Sequence, residues 1–230
     1  MTQIKNKDFV EIEYTGKIKE DNSIFDTTDE KIAKENDIFN KDIAYGPVVI
    51  CIGEGQIPDG LEKELEGKEP GKYTIELPPE MAFGKKNPKL IQLIQTSKFL
   101  KQRVHPVPGL QVNIDGMLGL IKTVSGGRTL VDFNHPLAGK ELAYSIKINK
   151  IVTEDKEKIK SYLKLVLNLK DPNVELVGNE ARIILKNDIP QEIKESLDKK
   201  IKELISSIKK IEFVIQNKKD DVTPQKELKK

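Results

Sequence analysis

The chain has 230 residues, 33% of them charged, with 39 basic against 37 acidic side chains. A formal net charge of +2 lacks the basic excess of a dedicated nucleic-acid binder. One cysteine excludes an internal disulfide framework and a cysteine-rich zinc site, and two histidines leave few routes to a metal centre or a histidine-based triad.

Taken in chain order, residues 9–14 alternate Val10, Ile12 and Tyr14 with Glu11 and Glu13, the period of a half-buried strand. Thr15-Gly16 breaks that pattern. Residues 19–23, rich in Asp, Asn and Ser, read as a turn. Ile24-Phe-Asp-Thr-Thr28 follows, and the lysine-rich stretch 29–42 reads as a surface excursion. Residues 47–52 form a buried strand closed by Gly53-Glu-Gly55. Over 57–67, Pro58 suits a first helical turn, Leu61 and Leu65 lie one turn apart, and Gly67 suits the position just past the end. This predicts a short helix laid on a sheet. Residues 72–77 alternate as another strand, ended by Pro78-Pro79.

From 85 to about 131 apolar segments are dense and are punctuated by Pro106, Pro108, Asp115-Gly116 and Ser125-Gly-Gly127, which predicts a small β-rich unit. Residues 132–139 read as a loop and 142–148 as a final alternating strand. A charged junction covers 152–158, and 159–170 carries apolar residues at mixed spacing. Residues 173–177 and 181–185 read as strands joined at Gly178-Asn179. Asp188-Ile-Pro190 starts a helix with Ile193, Leu197, Ile201, Leu204, Ile205 and Ile208 on one face, and 211–215 is a last strand. The polar end, 217–230, is expected to fray. Residues 152–230 thus read as a separate small α+β domain.

No segment is apolar over the roughly 20 residues that a membrane-spanning helix needs, and the first eight residues hold no signal-peptide core. A cytoplasmic protein is expected. There is no phosphate-binding loop, no nucleophile elbow and no zinc-protease helix. Cys51 falls in a buried strand pattern and reads as a silent core thiol. His105 reads as a surface loop residue, and His135, in a loop bounded by Pro136 and Gly139, as a structural one. Asp26, between Phe25 and Thr27, is either a turn aspartate or an acid serving an apolar site.

Several segments, in order, resemble the FKBP-type peptidyl-prolyl isomerases. They are Val10-Glu-Ile-Glu-Tyr-Thr-Gly16, Phe25-Asp-Thr-Thr28, 47–53, Ile57-Pro-Asp-Gly-Leu61, 66–72 and Ala82-Phe-Gly84. The segment between 85 and 131 falls where short members carry only a flap. Asp132-Phe-Asn-His-Pro-Leu-Ala-Gly139 is similar to the re-entry motif of the subgroup with an inserted chaperone domain, of which SlyD is an example. The extension beyond 151 is similar to the long archaeal type.

The resemblance implies an α+β fold: an antiparallel half-barrel sheet wrapped on a short helix, an inserted small β-rich domain and a C-terminal α+β domain. The implied boundaries are 1–85 with 132–151, then 86–131, then 152–230. It implies a catalytic set of Tyr14, Phe25, Asp26, Phe83 and Tyr144, with Val48, Ile50, Ile57, Pro58 and Leu61 binding substrate. Leu61 stands where many members place a tryptophan. Phe83 lacks the hydroxyl that many members carry there, and Pro58 lacks a backbone N–H. Within the insert, Leu90, Ile91, Leu93, Ile94, Phe99, Leu100, Met117 and Leu118 are the expected client-binding residues.

The implied activity is peptidyl-prolyl cis-trans isomerisation with folding-chaperone function. Its partners would be unfolded or partly folded polypeptides with exposed proline and apolar segments, and no cofactor or metal is needed. The competing reading is a non-catalytic holdase on the same scaffold. The helical stripe from Ile193 to Ile208 is expected to pack on its own strands, with homodimerisation through the C-terminal domain as the alternative use.

Overall fold

The computed structural model describes residues 2–169 and 171–215. The first strand, β1 (Phe9–Ile18), runs on through Thr15-Gly16, where alternation predicted a break. It absorbs that step as an irregularity in register between Gly16 and Lys17. β2 (Ile24–Thr27) follows the expected turn. The surface excursion holds one short helix, α1 (Glu30–Glu35), capped by Asp29, whose carboxylate accepts the backbone N–H of Lys31 and Ile32. Then come β3 (Val48–Cys51), α2 (Asp59–Leu65) and β4 (Gly71–Leu77). Pro58 is the N-cap of α2, and Leu61 and Leu65 are buried.

The insert contains β5 (Ile91–Gln95), a short helix α3 (Thr96–Lys101), β6 (Gln111–Ile114), β7 (Met117–Ser125) and β8 (Arg128–Asp132). The chain returns as β9 (Leu142–Val152). The C-terminal segment has α4 (Asp155–Val166), β10 (Asn173–Val177), β11 (Glu180–Leu185), α5 (Gln191–Leu204) and β12 (Lys210–Ile215). α4 begins inside what reads as a charged junction. Asp155 and Glu157 favour its positive end, while Ile159, Tyr162 and Leu163 bury one narrow stripe. The expected fraying at 217–230 lies outside the described residues.

These strands form three sheets. The largest has the order β2-β1-β9-β4, with β3 also on β1. One edge of β1 is shared: β3 pairs Phe9 to Ile12, and β2 pairs Thr15 to Lys17. All its pairings are antiparallel, and the face carrying Val10, Ile12, Ile75, Ile146 and Ile148 wraps Leu61 and Leu65 of α2. This is the expected α+β, FKBP-like arrangement. The insert is a four-stranded antiparallel sheet, β5-β8-β7-β6. The third sheet, β10-β11-β12, is an antiparallel hairpin plus a parallel strand reached through α5.

The C-terminal elements do not stand apart from the first sheet. A bulge in the β1–β9 ladder pairs Glu11 with Lys150 but Ile12 with Ile148, so Asn149 is the extra residue. Past the bulge Ile151 packs with the first core, while Val152, opposite Phe9, turns to the other side. There Phe9, Cys51 and Val152 share one core with Ile159, Leu163, Val174, Ile183, Leu197 and Ile201. Lys7–Glu203 and Lys200–Glu54 ion pairs, both at 3.0 Å, cross the same junction. The expected stripe packs on its own strands at Leu197 and Ile201, but α5 ends at Leu204, so Ile205 and Ile208 are buried from the chain that follows the helix, and Ile193 is exposed.

Candidate active site

A cleft of about 650 Å³ opens where the second half of β1 meets β2, the start of α2 and the two connections to the insert. Its position follows from close packing at Gly16. A Cβ there would sit 2.6 Å from the Phe25 ring and 2.9 Å from the Tyr144 ring, so only glycine lets both aromatics close over β1. Phe25 meets Tyr144 edge to face, with centroids 5.7 Å apart and planes at 88°, and Tyr14 lies 6.3 Å from Tyr144.

The Phe25-Asp-Thr-Thr28 segment is tied to β1 by hydroxyls. Thr28 Oγ1 accepts the Tyr14 N–H at 2.9 Å, Thr27 Oγ1 donates to the Tyr14 carbonyl at 3.1 Å, and Thr15 and Thr27 hydroxyls pair at 2.8 Å. This fastening sets Asp26 across from Tyr14, whose hydroxyl donates to Asp26 Oδ2 at 2.7 Å. Burial, and then the negative charge of Asp26, pushes the Tyr14 hydroxyl well above the ordinary tyrosine range. Tyr144 is pushed up for the same two reasons. Both phenols therefore stay protonated as donors at neutral pH.

Leu61 is the floor of the cleft and is 1% exposed; Ile57 and Pro58 form the side above it. Their loop is held by Glu62, a buried carboxylate that accepts the N–H groups of Gly53 and Gly55 at 3.2 and 3.1 Å. Burial raises its pKa despite these bonds. Gln56 anchors the loop from the other end, its Oε1 accepting the Cys51 N–H at 2.7 Å. Gly60 lies so close to Met81 that a Cβ would fall 2.2 Å from its carbonyl oxygen, which seats 79–81 on α2 and brings Ala82 and Phe83 to the cleft.

Eight of the ten expected prolyl-pocket residues therefore line one cleft: Tyr14, Phe25, Asp26, Ile57, Pro58, Leu61, Phe83 and Tyr144. Val48 and Ile50 do not. β3 pairs with Phe9 to Ile12 rather than the Tyr14 end of β1. Ile50 consequently points into the core, and Val48 lines a separate pocket beside Ile43 and Leu165. Sequence reasoning passed over Gln56, Asp59, Ala82, His135 and Leu137, which also line the cleft. His135 is stacked on Phe83, with centroids 4.4 Å apart and planes within 2°. The only local signal was its place in the 132–139 motif.

In the insert, Ile91, Leu93, Leu100, Met117 and Leu118 are exposed, Leu118 by 72% and Leu93 by 55%. Leu90 is half-buried. Phe99 departs from its expected client-binding role: it is 4% exposed and packs with Val112, Ile121 and Val131 as the core of this unit, with Ile94 against it. Cys51 is buried, and burial pushes its thiol up to about 12, which leaves no thiolate at neutral pH. Among the described residues no cluster of three or more His, Cys, Asp and Glu side chains could hold a metal ion, and no helix is long and apolar enough to cross a membrane.

Residues 1–104 match the model of the family FKBP-type peptidyl-prolyl cis-trans isomerase, and residues 92–137 match that of the FKBP26 IF domain. The chain is 33% identical over 155 residues to the short-type peptidyl-prolyl cis-trans isomerase of Methanocaldococcus jannaschii, covering 67% of this chain and 98% of that one. It is 34% identical over 110 residues to the FKBP-type 16 kDa peptidyl-prolyl cis-trans isomerase of Escherichia coli, covering 46% and 74%. To the FKBP-type peptidyl-prolyl cis-trans isomerase SlyD of Vibrio cholerae it is 32% identical over 126 residues, covering 51% and 62%.

Proposed function

The chain belongs to the FKBP-type peptidyl-prolyl cis-trans isomerases, and we propose that Xaa-Pro bonds turn in the cleft walled by Tyr14, Phe25, Asp26, Phe83 and Tyr144, with Ile57, Pro58 and Leu61 seating the proline ring. The observation that carries this reading is the 2.7 Å bond from Tyr14 to Asp26 at the edge of a cleft lined by Phe25, Phe83 and Tyr144.

The chemistry follows from the amide. Rotation about an Xaa-Pro bond breaks amide resonance, a barrier of roughly 18–20 kcal/mol. The planar amide is charge-separated and well solvated by water. The twisted state has a less polar carbonyl and a pyramidal nitrogen. An apolar wall of Phe25, Leu61, Phe83 and Tyr144 strips water from the planar form and penalises it more than the twisted form, which is differential binding. No bond is made to the protein and no proton moves. Asp26 orients the Tyr14 wall and places a carboxylate beside the twisted carbonyl carbon.

The proposed units are 1–85 with 132–151 as the isomerase domain, 86–131 as an inserted chaperone domain and 152–230 as the extension of a long archaeal type. The exposed Ile91, Leu93, Leu100, Met117 and Leu118 would hold unfolded or partly folded chains, and tethering them beside the cleft raises the local concentration of prolines there. The partners are thus polypeptides with exposed proline and apolar segments. A homodimer through the C-terminal domain would use apolar side chains that the described residues leave outward, among them Leu165, Val166, Val177, Ile193 and Ile215.

NMR exchange on a short Xaa-Pro peptide, wild type beside Asp26→Ala, tests the site. The expected result is a loss of about tenfold in the mutant, the equivalent of one orienting hydrogen bond at roughly 1.4 kcal/mol. Unchanged turnover in a folded Asp26→Ala protein would remove Asp26 from the site. No acceleration by the folded wild type would point instead to a holdase whose active part is the insert.

A further inference from the structure

A peptide seated in the cleft brings backbone carbonyls that lose water and need donors. The walls of the cleft hold few that are free. Pro58 has no N–H, and Phe83 has no hydroxyl. The Tyr14 hydroxyl is engaged by Asp26, the Gly55 N–H by Glu62, and the Ala82 N–H by the Pro79 carbonyl at 3.1 Å. The side-chain donors that remain are the Tyr144 hydroxyl, the amide of Gln56 and the imidazole of His135.

The imidazole is held in one orientation by two independent contacts. Its Nδ1 accepts the Leu137 N–H at 3.2 Å, and its ring lies flat on Phe83, planes within 2°. A nitrogen that accepts carries the lone pair, so the neutral ring bears its proton on Nε2. The loop that delivers it is itself clasped. Asn134 Oδ1 accepts the Asn87 N–H at 2.8 Å, and Asn134 Nδ2 donates to the Asn87 carbonyl at 3.1 Å and to Asp132 Oδ1 at 2.7 Å. The chain leaving the sheet and the chain returning from the insert are thereby joined one residue before His135.

We propose that His135 is a substrate-contacting residue of the isomerase, its Nε2–H donating to a backbone carbonyl of the peptide held in the cleft. The return chain from the insert thus completes the cleft by supplying a donor that Pro58 and Phe83 do not. The inference rests on the reading of this cleft as the site of isomerisation.

The test uses the full-length, uniformly ¹⁵N-labelled protein and a short Xaa-Pro peptide. Imidazole ¹H–¹⁵N spectra report both histidines at once, and His105, in the insert, is the internal control. Saturating peptide should shift the His135 Nε2–H signal and slow its exchange with water, with His105 unmoved. In parallel, His135→Phe keeps a ring on Phe83 but has no N–H. His135→Asn keeps an acceptor for the Leu137 N–H, as an Asx-type turn, but has no ring. Both should raise KM about fivefold with kcat within about twofold, the pattern of a lost binding contact. A peptide that shifts the amides of Tyr14 and Phe25 while the His135 ring stays silent would overturn the proposal and leave the cleft standing. So would an unchanged KM in folded His135→Phe. If neither the cleft amides nor His135 respond, the site assignment falls and this inference falls with it.

Discussion

The isomerase sheet and the sheet of the insert are both antiparallel and both rich in apolar side chains, yet they dispose of them in opposite ways. The first buries fourteen residues in one core, and the insert buries four. Meanwhile Ile91, Leu93, Leu100, Val107, Met117 and Leu118 of the insert stay exposed. Size explains the difference. Five strands, with β1 and β9 of 10 and 11 residues, can wrap a helix and still leave a concave rim, whereas a small sheet covered by a single six-residue helix has little interior to offer. In the first, a set of apolar and aromatic side chains lines a cleft tied together by hydroxyl bonds and the Tyr14–Asp26 pair, while Phe39, Ile43 and Met81 stay outward elsewhere. In the second they face outward, and β5, an edge strand, adds unpaired backbone groups to Ile91 and Leu93. In the proposed function, one surface fits a single ring and the other accommodates many sequences.

The largest test of that contrast replaces 86–131 with a short glycine linker, which the Asn87–Asn134 bonds show to be a short span. Proline-limited refolding of a whole protein should slow by about 100-fold, the scale of a lost tether, while short-peptide turnover stays within about threefold. Equal losses in both assays would break the division between the two regions. Tyr14→Phe should act differently. It removes the donor to Asp26 without opening the core, so both assays should fall together by about five- to tenfold.

A smaller effect should come from the double change Leu93→Lys with Leu118→Lys. Both side chains are exposed, so the insert should stay folded. Placing charges on the outward face should weaken capture of a denatured client about fivefold, measured as suppression of aggregation, since roughly 1 kcal/mol of apolar contact is removed. Peptide turnover should not move. Loss of turnover here would mean that the two surfaces are one.

How much of this was legible in the sequence depended on whether a feature is local. The alternation of Val10, Ile12 and Tyr14, and the frame of Pro58, Leu61, Leu65 and Gly67, give strand and helix directly, because period and caps are properties of neighbouring residues. Tyr14, Phe25 and Asp26 were readable as short motifs, although their 2.7 Å meeting depends on strand pairing. Val48 and Ile50 were misread because alternation tells which face a strand buries but not which end of its partner it pairs with. The place of His135 in the cleft is hidden from the sequence for the same reason: it lies 52 positions from Phe83 in the chain but stacks on it in space. Phe99 and Leu118 are equally apolar in sequence, and only packing decides that one is core and the other surface. α4 was hidden because its first turn lies in the charged junction 152–158, and its buried stripe, Ile159, Tyr162 and Leu163, is obscured by the mixed apolar spacing of 159–170.

The least change is expected where the two regions join. Asp132 is buried at the end of β8, accepts both the backbone N–H and the side-chain amide of Asn134, and lies 3.8 Å from Lys86. Burial alone would raise its carboxyl, but the bonds from Asn134 outweigh it and hold the group below the usual aspartate range. A carboxylate with a lowered folded-state pKa contributes stability that is present above its unfolded value, roughly 3.9, and disappears as pH falls through the folded one. Asp132→Asn keeps one acceptor but no charge, so it should cost about 1 kcal/mol near pH 7. Melting both proteins from pH 7 to pH 3 should show that difference holding to about pH 4 and then closing as the wild type protonates. A gap that stays constant to pH 3 would assign the cost to packing. The joint between cleft and insert would then be held by shape rather than by the charge of Asp132.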